Sequence, residues 1–239
     1  MADDTLFDRH ARDYDATVQR AISASGESVQ FFADLKIRLM AGALGAARPA
    51  TILDFGCGVG NTTRALAGAY PNASITGFDV SRESVEVARH LKTAGNVRYA
   101  SAGSDSLPFD DAAFDVAFTS CVFHHIEPPD RHRWAGELRR VLRPGGLLFL
   151  FEHNPLNPLT VRVVRNIPFD EGVVLLRAGD ATRLLRSAGF DASHASYYFF
   201  FQAALRFLRP LERWLERVPV GAQYFVVDRR ATGSARTAR

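Results

Sequence analysis

An α/β fold on a doubly wound, mostly parallel sheet of seven strands is what this sequence predicts, on three observations. Short apolar runs of strand length alternate with amphipathic runs of helix length between residues 51 and 151. That alternation lays parallel strands side by side through crossover helices. The first run ends in three glycines at alternate positions, Gly56, Gly58 and Gly60, and a helix pattern starts directly after them. The fifth run, Leu147-Leu-Phe-Leu-Phe151, is apolar throughout, as a strand covered on both faces must be.

Taken in order, residues 3–44 read as helical with a break at Gly26, and Phe31, Phe32, Leu35, Ile37, Leu39 and Met40 fall roughly on one face. Strands are expected over 51–55, 74–78, 97–100, 114–119 and 147–151. Between them lie helices over 61–69, 81–93 with Ser81 as N-cap, and 130–142, the last stopped by Pro144-Gly145-Gly146. Residues 153–176 form an irregular insertion holding Pro155, Pro158 and Pro168. A helix over 180–188 closes at Gly189, and strands over 197–201 and 224–227 flank a helical stretch from 203 to 218, in which Pro210 opens a second helical turn. The expected organisation is an N-terminal helical cap over 1–48, a sheet domain over 49–228 with a cap insertion at about 153–178, and a disordered basic tail over 229–239.

Composition excludes several classes. The chain has 239 residues, 47% hydrophobic and 23% charged, enough apolar surface to offset chain entropy and fold. No apolar run approaches the roughly 18 residues that span a bilayer. The opening Met-Ala-Asp-Asp lacks the apolar stretch of a secretory signal. Cys57 and Cys121 are too few for a disulfide framework and suit a reducing compartment, so the expected location is cytoplasmic. The net charge of +3 is spread along the chain, which argues against nucleic acid as a partner.

The glycine segment carries the chemistry. Glycines let the backbone turn tightly and let a ligand approach the main chain without meeting a side chain. Asp79 ends the next strand about 20 residues beyond the last glycine, the spacing of a carboxylate that grips ribose hydroxyls. A tight turn with no ligand is the alternative, and the two flanking carboxylates, Asp54 and Asp79, weigh against it. A dinucleotide site prefers Gly-x-Gly-x-x-Gly; here the third glycine comes one residue early, and Asp54 ahead of the loop would repel a pyrophosphate. A carboxylate there suits a ligand with an ammonium group, such as the methionine part of S-adenosyl-L-methionine.

The stretch Leu53-Asp-Phe-Gly-Cys-Gly-Val-Gly60 resembles the first motif of class I S-adenosylmethionine-dependent methyltransferases. Four further segments resemble the family in the same order: Gly77-Phe-Asp-Val-Ser81; Leu107-Pro-Phe109 followed by Phe114-Asp-Val116; Val122-Phe-His-His-Ile126; and Leu142-Arg-Pro-Gly-Gly146. The likeness covers about residues 50–150 and is nearest to the branch that methylates small molecules and quinones, with a weaker echo over Phe7 to Asp15. It implies a Rossmann-like methyltransferase fold. It implies a methyl group passed from S-adenosyl-L-methionine to a small organic acceptor, on oxygen or nitrogen, by in-line displacement. By the same resemblance Asp54, Gly56, Cys57 and Gly58 line the methionine end, with Tyr14 closing over it. Asp79 holds the ribose, Val80 lies against adenine, and Ser120 offers its backbone. Relatives usually carry an Asp four residues before the Leu-Pro-Phe leucine; here Gly103 stands there, so the adenine edge falls to Ser104 or Asp105.

Several residues keep two readings. His124 and His125, near Cys121 and His132, do not make a metal site, because adjacent histidines point in different directions; no metal is expected. His125 either faces the substrate pocket as a catalytic group or packs at a helix entry. His153 follows the fifth strand and either accepts a proton from a substrate hydroxyl or fixes the loop before Pro155. Leu208, Leu211, Leu215 and Val218, flanked by Arg206, Arg209, Arg213 and Arg217, either pack inward or lie on a membrane surface. The second option makes a lipid or quinone methyltransferase the alternative function; a non-catalytic cofactor-binding module is another. The homo-oligomeric state is left open.

Overall fold

The computed structural model describes residues 4–91, 94–103, 106–191 and 194–231. Three N-terminal helices, α1 (Asp4–His10), α2 (Tyr14–Ile22) and α3 (Val29–Leu44), precede the sheet. Between α2 and α3 Gly26 is left-handed at φ +73°, and the Ser28 hydroxyl caps α3 by accepting the Phe31 N–H. Five strands then alternate with helices: β1 (Thr51–Phe55), α4 (Asn61–Ala69), β2 (Ser74–Asp79), α5 (Arg82–His90), β3 (Val97–Ser101), β4 (Phe114–Ser120), α6 (Arg131–Val141) and β5 (Leu142–His153). The C-terminal part adds α7 (Pro158–Arg165), α8 (Ala178–Ser187), β6 (Ala195–Tyr198), α9 (Glu212–Leu215) and β7 (Gln223–Arg229).

The seven strands form one sheet in the order β3-β2-β1-β4-β5-β7-β6. The first five are parallel, and β7 runs antiparallel to both β5 and β6. Side chains alternate across it with period two. Leu53, Phe55, Leu148 and Leu150 pack with Trp134 and Leu138 of α6 and Leu185 of α8. Ile52, Phe149 and Phe151 face the other way, onto Ile37 and Met40 of α3 and Leu66 of α4. The strand order reverses between β1 and β4, and the carboxyl ends of parallel strands at such a point are where ligands bind. Among the described residues no helix is long and apolar enough to cross a membrane.

Some boundaries differ from the sequence expectation. Pro144-Gly145-Gly146 does not lie outside the strand: β5 starts at Leu142, and the register slips between the Phe114–Leu142 and Val116–Leu147 pairs. Gly145 is left-handed at φ +80°, and a Cβ on Gly146 would lie 2.9 Å from the Arg143 carbonyl oxygen. These glycines therefore serve a kink within β5. The insertion after β5 is less irregular than its prolines suggest. Asn157 caps α7 through the Leu159 and Thr160 N–H groups, with Pro158 in the first turn, where its missing donor costs nothing. The stretch from 203 to 211 is a 3-10 helix rather than an α-helix, followed by the short α9. Arg229 ends β7 and Arg230 bridges Phe190, so the sheet takes in the first residues expected in the tail. Residues 232–239 of that tail lie outside the described residues, as do residues 92 and 93 of the expected 81–93 helix.

Candidate functional site

The chain leaves β1 through a turn whose glycines differ in purpose. Gly56, Gly58 and Gly60 all have positive φ, at +74°, +51° and +81°. A Cβ on Gly56 would lie 2.3 Å from Val122 Cγ2, and one on Gly60 2.5 Å from the Tyr99 hydroxyl. Those two glycines are required by the protein's own packing. A Cβ on Gly58 would meet nothing within 4 Å. Gly58 thus exposes bare backbone to open space, which is what close approach of a ligand requires.

Asp79, at the end of β2, reaches this turn. Its Oδ2 accepts the Gly58 N–H at 2.8 Å and its Oδ1 accepts the Ser81 N–H at 2.9 Å. Burial holds its carboxyl above the usual value, against those donors. An ionised carboxylate has about four acceptor positions, so acceptor capacity remains for ligand hydroxyls. Asp54, by contrast, is turned inward. It is buried, accepts the Thr63 hydroxyl at 2.6 Å, and is pushed up to about 7 by burial. It lines neither of the cavities described next.

Two adjoining cavities open at this edge of the sheet. The smaller, about 90 Å³, is walled by Phe78, Asp79, Val80, Phe7 and Ser84. The larger, about 740 Å³, reaches under α2, α3 and α7 and takes in Cys57, Lys36, His153, Phe169 and Gln223. Tyr14, Gly56, Gly58, Ser120, Cys121 and His125 border both. Tyr14 stacks on Phe169 with ring centroids 5.0 Å apart, so the N-terminal helices and the insertion meet over the seam. Of the residues singled out from sequence, Tyr14, Gly56, Cys57, Gly58, Asp79, Val80, Ser120, His125 and His153 converge on these cavities. Ser104 and Asp105 lie outside the described residues. Ser120 engages through its hydroxyl as well, accepting from Lys36 Nζ at 2.6 Å.

The ends of β4 and β5 hold charged groups that sequence reasoning missed. Glu152, in an otherwise apolar strand, accepts the Val122 and Phe123 N–H groups at 3.1 and 2.7 Å and His124 Nδ1 at 2.6 Å. Asp170 of the insertion lies 3.2 Å from His125 Nε2 and 3.9 Å from His124 Nε2. Burial disfavours a charge on His124, but the two carboxylates overcome it and raise its pKa to about 10. Burial and then the His124 cation push His125 down. His124, His125 and Asp170 each offer an atom within 4.8 Å of the others. Both His124 nitrogens face carboxylates, so this group acts as a proton-holding network that ties the insertion to the sheet.

Lys36 enters from α3 and is 7% exposed, with its Nζ 3.8 Å from Cys121 Sγ. Cys121 itself sits in the left-handed region at φ +57°, a conformation costing a non-glycine residue on the order of 1 kcal/mol. Burial would raise its thiol, yet His153 and Lys36 beside it bring it down to about 6. His153 Nδ1 lies 3.3 Å from Gln223 Nε2. A signal for Lys36 was available: it falls among Ala33, Ile37 and Met40 on the buried face of α3, where an unpaired lysine is out of place.

A parallel sheet with an antiparallel last strand, a bare glycine turn after β1 and a carboxylate at the end of β2 define a Rossmann-like methyltransferase. Residues 52–146 match the methyltransferase domain family, and the chain is similar to class I S-adenosylmethionine-dependent methyltransferases. It is similar to O-methyltransferase cnsE of Penicillium expansum, 33% identical over 69% of this chain and 60% of that protein. It is also similar to the 2-methyl-6-phytyl-1,4-hydroquinone methyltransferase of Synechocystis, 35% identical over 44% of this chain and 32% of that one. The chain thus spans less than two thirds of these relatives' lengths. A solved S-adenosylmethionine-dependent methyltransferase of Thermotoga maritima shares the fold, with TM-score 0.66 at 19% identity over 95% of this chain and 99% of its own.

Proposed function

We propose that this protein transfers a methyl group from S-adenosyl-L-methionine to a small organic acceptor by in-line displacement. The observation that carries this is Gly58: bare backbone at positive φ, facing open space, with its N–H tied to Asp79 at the junction of two cavities. The residues fit the cofactor. Asp79 keeps acceptor positions for the ribose hydroxyls, Val80 gives adenine an apolar wall, and Tyr14, Gly56 and Cys57 surround the methionine end. Bound there, S-adenosyl-L-methionine would supply a methyl already activated on a sulfonium. The chain's task is then to orient the acceptor and exclude water, and orientation alone is worth roughly 7–11 kcal/mol. Residues 1–48 and about 153–178 form the cap for that purpose, since Thr17, Lys36, Leu159 and Phe169 wall the larger cavity. His153 and His125 are the candidates for handling the acceptor's proton. Calorimetry with S-adenosylhomocysteine tests the reading. Binding is expected, with a loss of about 10–100-fold in Asp79→Ala, the range for hydrogen bonds to a charged group. A folded protein that ignores this ligand overturns it.

A second reading places the enzyme on a membrane surface with a lipid or quinone acceptor, as the name of the Synechocystis relative suggests. The supporting observation is an exposed apolar set on the 203–220 segment and α7: Phe207 is 71% and Trp214 65% exposed, with Leu156, Leu159 and Val220 also exposed. Leu159 borders the larger cavity, and Arg162, Arg206, Arg213 and Arg217 surround the set. Co-sedimentation with anionic liposomes, lost in Phe207→Ser/Trp214→Ser, is the expected outcome.

A further inference from the structure

Lys36 is a buried cation in a ligand cavity, and its bonded partners among the described residues are a hydroxyl and a thiol, not a carboxylate. A buried charge is costly unless a counter-charge is hydrogen-bonded to it, and before an acceptor binds that role falls to the Cys121 sulfur rather than to a carboxylate. Asp54 feels the Lys36 charge through space, but neither nearby carboxylate is hydrogen-bonded to it. Asp54 is bonded to Thr63 beneath the glycine turn, and Glu152 is engaged by His124 and two backbone N–H groups. Lys36 also lies on the larger cavity only, away from Asp79 and Val80. It therefore stands away from the ribose and adenine end, in the cavity that the methionine end shares with the acceptor.

On these grounds we infer that Lys36, Ser120 and Cys121 form an oxyanion site for the acceptor, so that the substrates are acidic hydroxyl compounds (phenols, enols or carboxylic acids) methylated on oxygen. The inference rests on the methyltransferase reading and narrows it. A protonated amine would be repelled by Lys36, which disfavours methylation on nitrogen. The proton balance closes within the corner. The field that holds the Cys121 thiol near 6 makes it an anion at neutral pH. When a phenol or enol binds, its hydroxyl proton passes to the Cys121 sulfur, and the substrate oxyanion takes the thiolate's place beside Lys36; a carboxylic acid arrives already ionised, and there the sulfur takes its proton from solvent. Net charge in the corner is unchanged, and the oxygen is left with the lone pair that methylation needs.

The test separates donor from acceptor. S-adenosylhomocysteine is first titrated into the wild type, Lys36→Met and Lys36→Gln. Benzoate and 4-nitrophenol are then titrated into each complex, with melting temperatures checking that the variants fold. The expected result is that at least one probe binds the wild type and weakens by about 10–100-fold in both variants, while S-adenosylhomocysteine affinity changes less than about twofold. Bound 4-nitrophenol should also keep its phenolate absorbance to a pH about one unit lower than in buffer, a tenfold shift in ionisation. Absence of probe binding to the wild type, or equal binding to the variants, overturns the inference. A tenfold loss confined to S-adenosylhomocysteine also overturns it, because Lys36 would then hold the donor's carboxylate. Failure of the methyltransferase reading looks different: the wild type would not bind S-adenosylhomocysteine at all, whatever the probes do.

Discussion

The ends of β1 and β2 and the ends of β4 and β5 lie on one edge of the same sheet, yet they satisfy their buried polar groups in opposite ways. At β1 and β2 each carboxylate has a partner close in sequence: Asp54 the Thr63 hydroxyl nine residues on, and Asp79 the Ser81 N–H two residues on, beside the Gly58 N–H 21 residues back. At β4 and β5 the partners come from across the molecule. Lys36 reaches Ser120 over a separation of 84 residues, and His124 meets Glu152 over 28. The first half is a turn with mostly local hydrogen bonds and a bare backbone face at Gly58. The second is an assembled set of charges that exists only once α3, the insertion and the sheet have docked. On the proposed function, most of the cofactor's contacts come from the β1–β2 stretch, whereas the acceptor's come from the whole fold.

Substitutions can break or sharpen this contrast. The largest effect is expected at Glu152→Leu, which strands the His124 cation and unpairs two backbone donors; such losses cost about 3–5 kcal/mol. Asp54→Asn keeps an acceptor for Thr63 and should cost about 1 kcal/mol or less. Urea denaturation compares the two, and equal costs would dissolve the distinction. Next comes pH. His124 titrates near 6.5 when unfolded and at about 10 in the fold. Its stabilisation is complete below 6.5 and is lost as pH rises toward 10. Glu152 and Asp170 are held below their ordinary values of 4.5 and 3.8, so their contribution is present above those values and lost on acidification. The urea midpoint should fall between pH 6.5 and 10 in the wild type, and His124→Gln should flatten that limb.

The glycine turn gives a finer comparison. Gly56→Ala forces a methyl into Val122 and should destabilise by about 1–3 kcal/mol. Gly58→Ala clashes with nothing in the protein, so its stability cost is the left-handed backbone alone, about 1 kcal/mol. Its methyl points to the ligand space, and S-adenosylhomocysteine affinity is where it should show. Smallest is the exposed pair of Arg12 and Glu83, 3.0 Å apart, which links the loop after α1 to α5. Arg12→Ala should change stability by less than about 1 kcal/mol.

Much of the first half was legible in the sequence. The strand over Thr51–Phe55 and the helix over Asn61–Ala69 have the bounds expected of them, and Ser81 caps α5. Apolar alternation, capping hydroxyls and glycine spacing are set within a few residues, so a linear reading captures them. The same reading faltered where local signals carry two meanings. Pro144-Gly145-Gly146 reads as a stop but shapes a kink inside β5.

By itself, the sequence determined the order of strands and helices and the turn that bares Gly58, because each depends on backbone geometry over short spans of chain, whereas the Asp79–Gly58 bond needs β1 and β2 paired. Only the tertiary structure decided that Lys36, Cys121 and His153 share one cavity and that Glu152 and Asp170 hold His124 charged. Those groups interact through space in a buried, weakly screened setting, and their distances are fixed by packing rather than by their places along the chain.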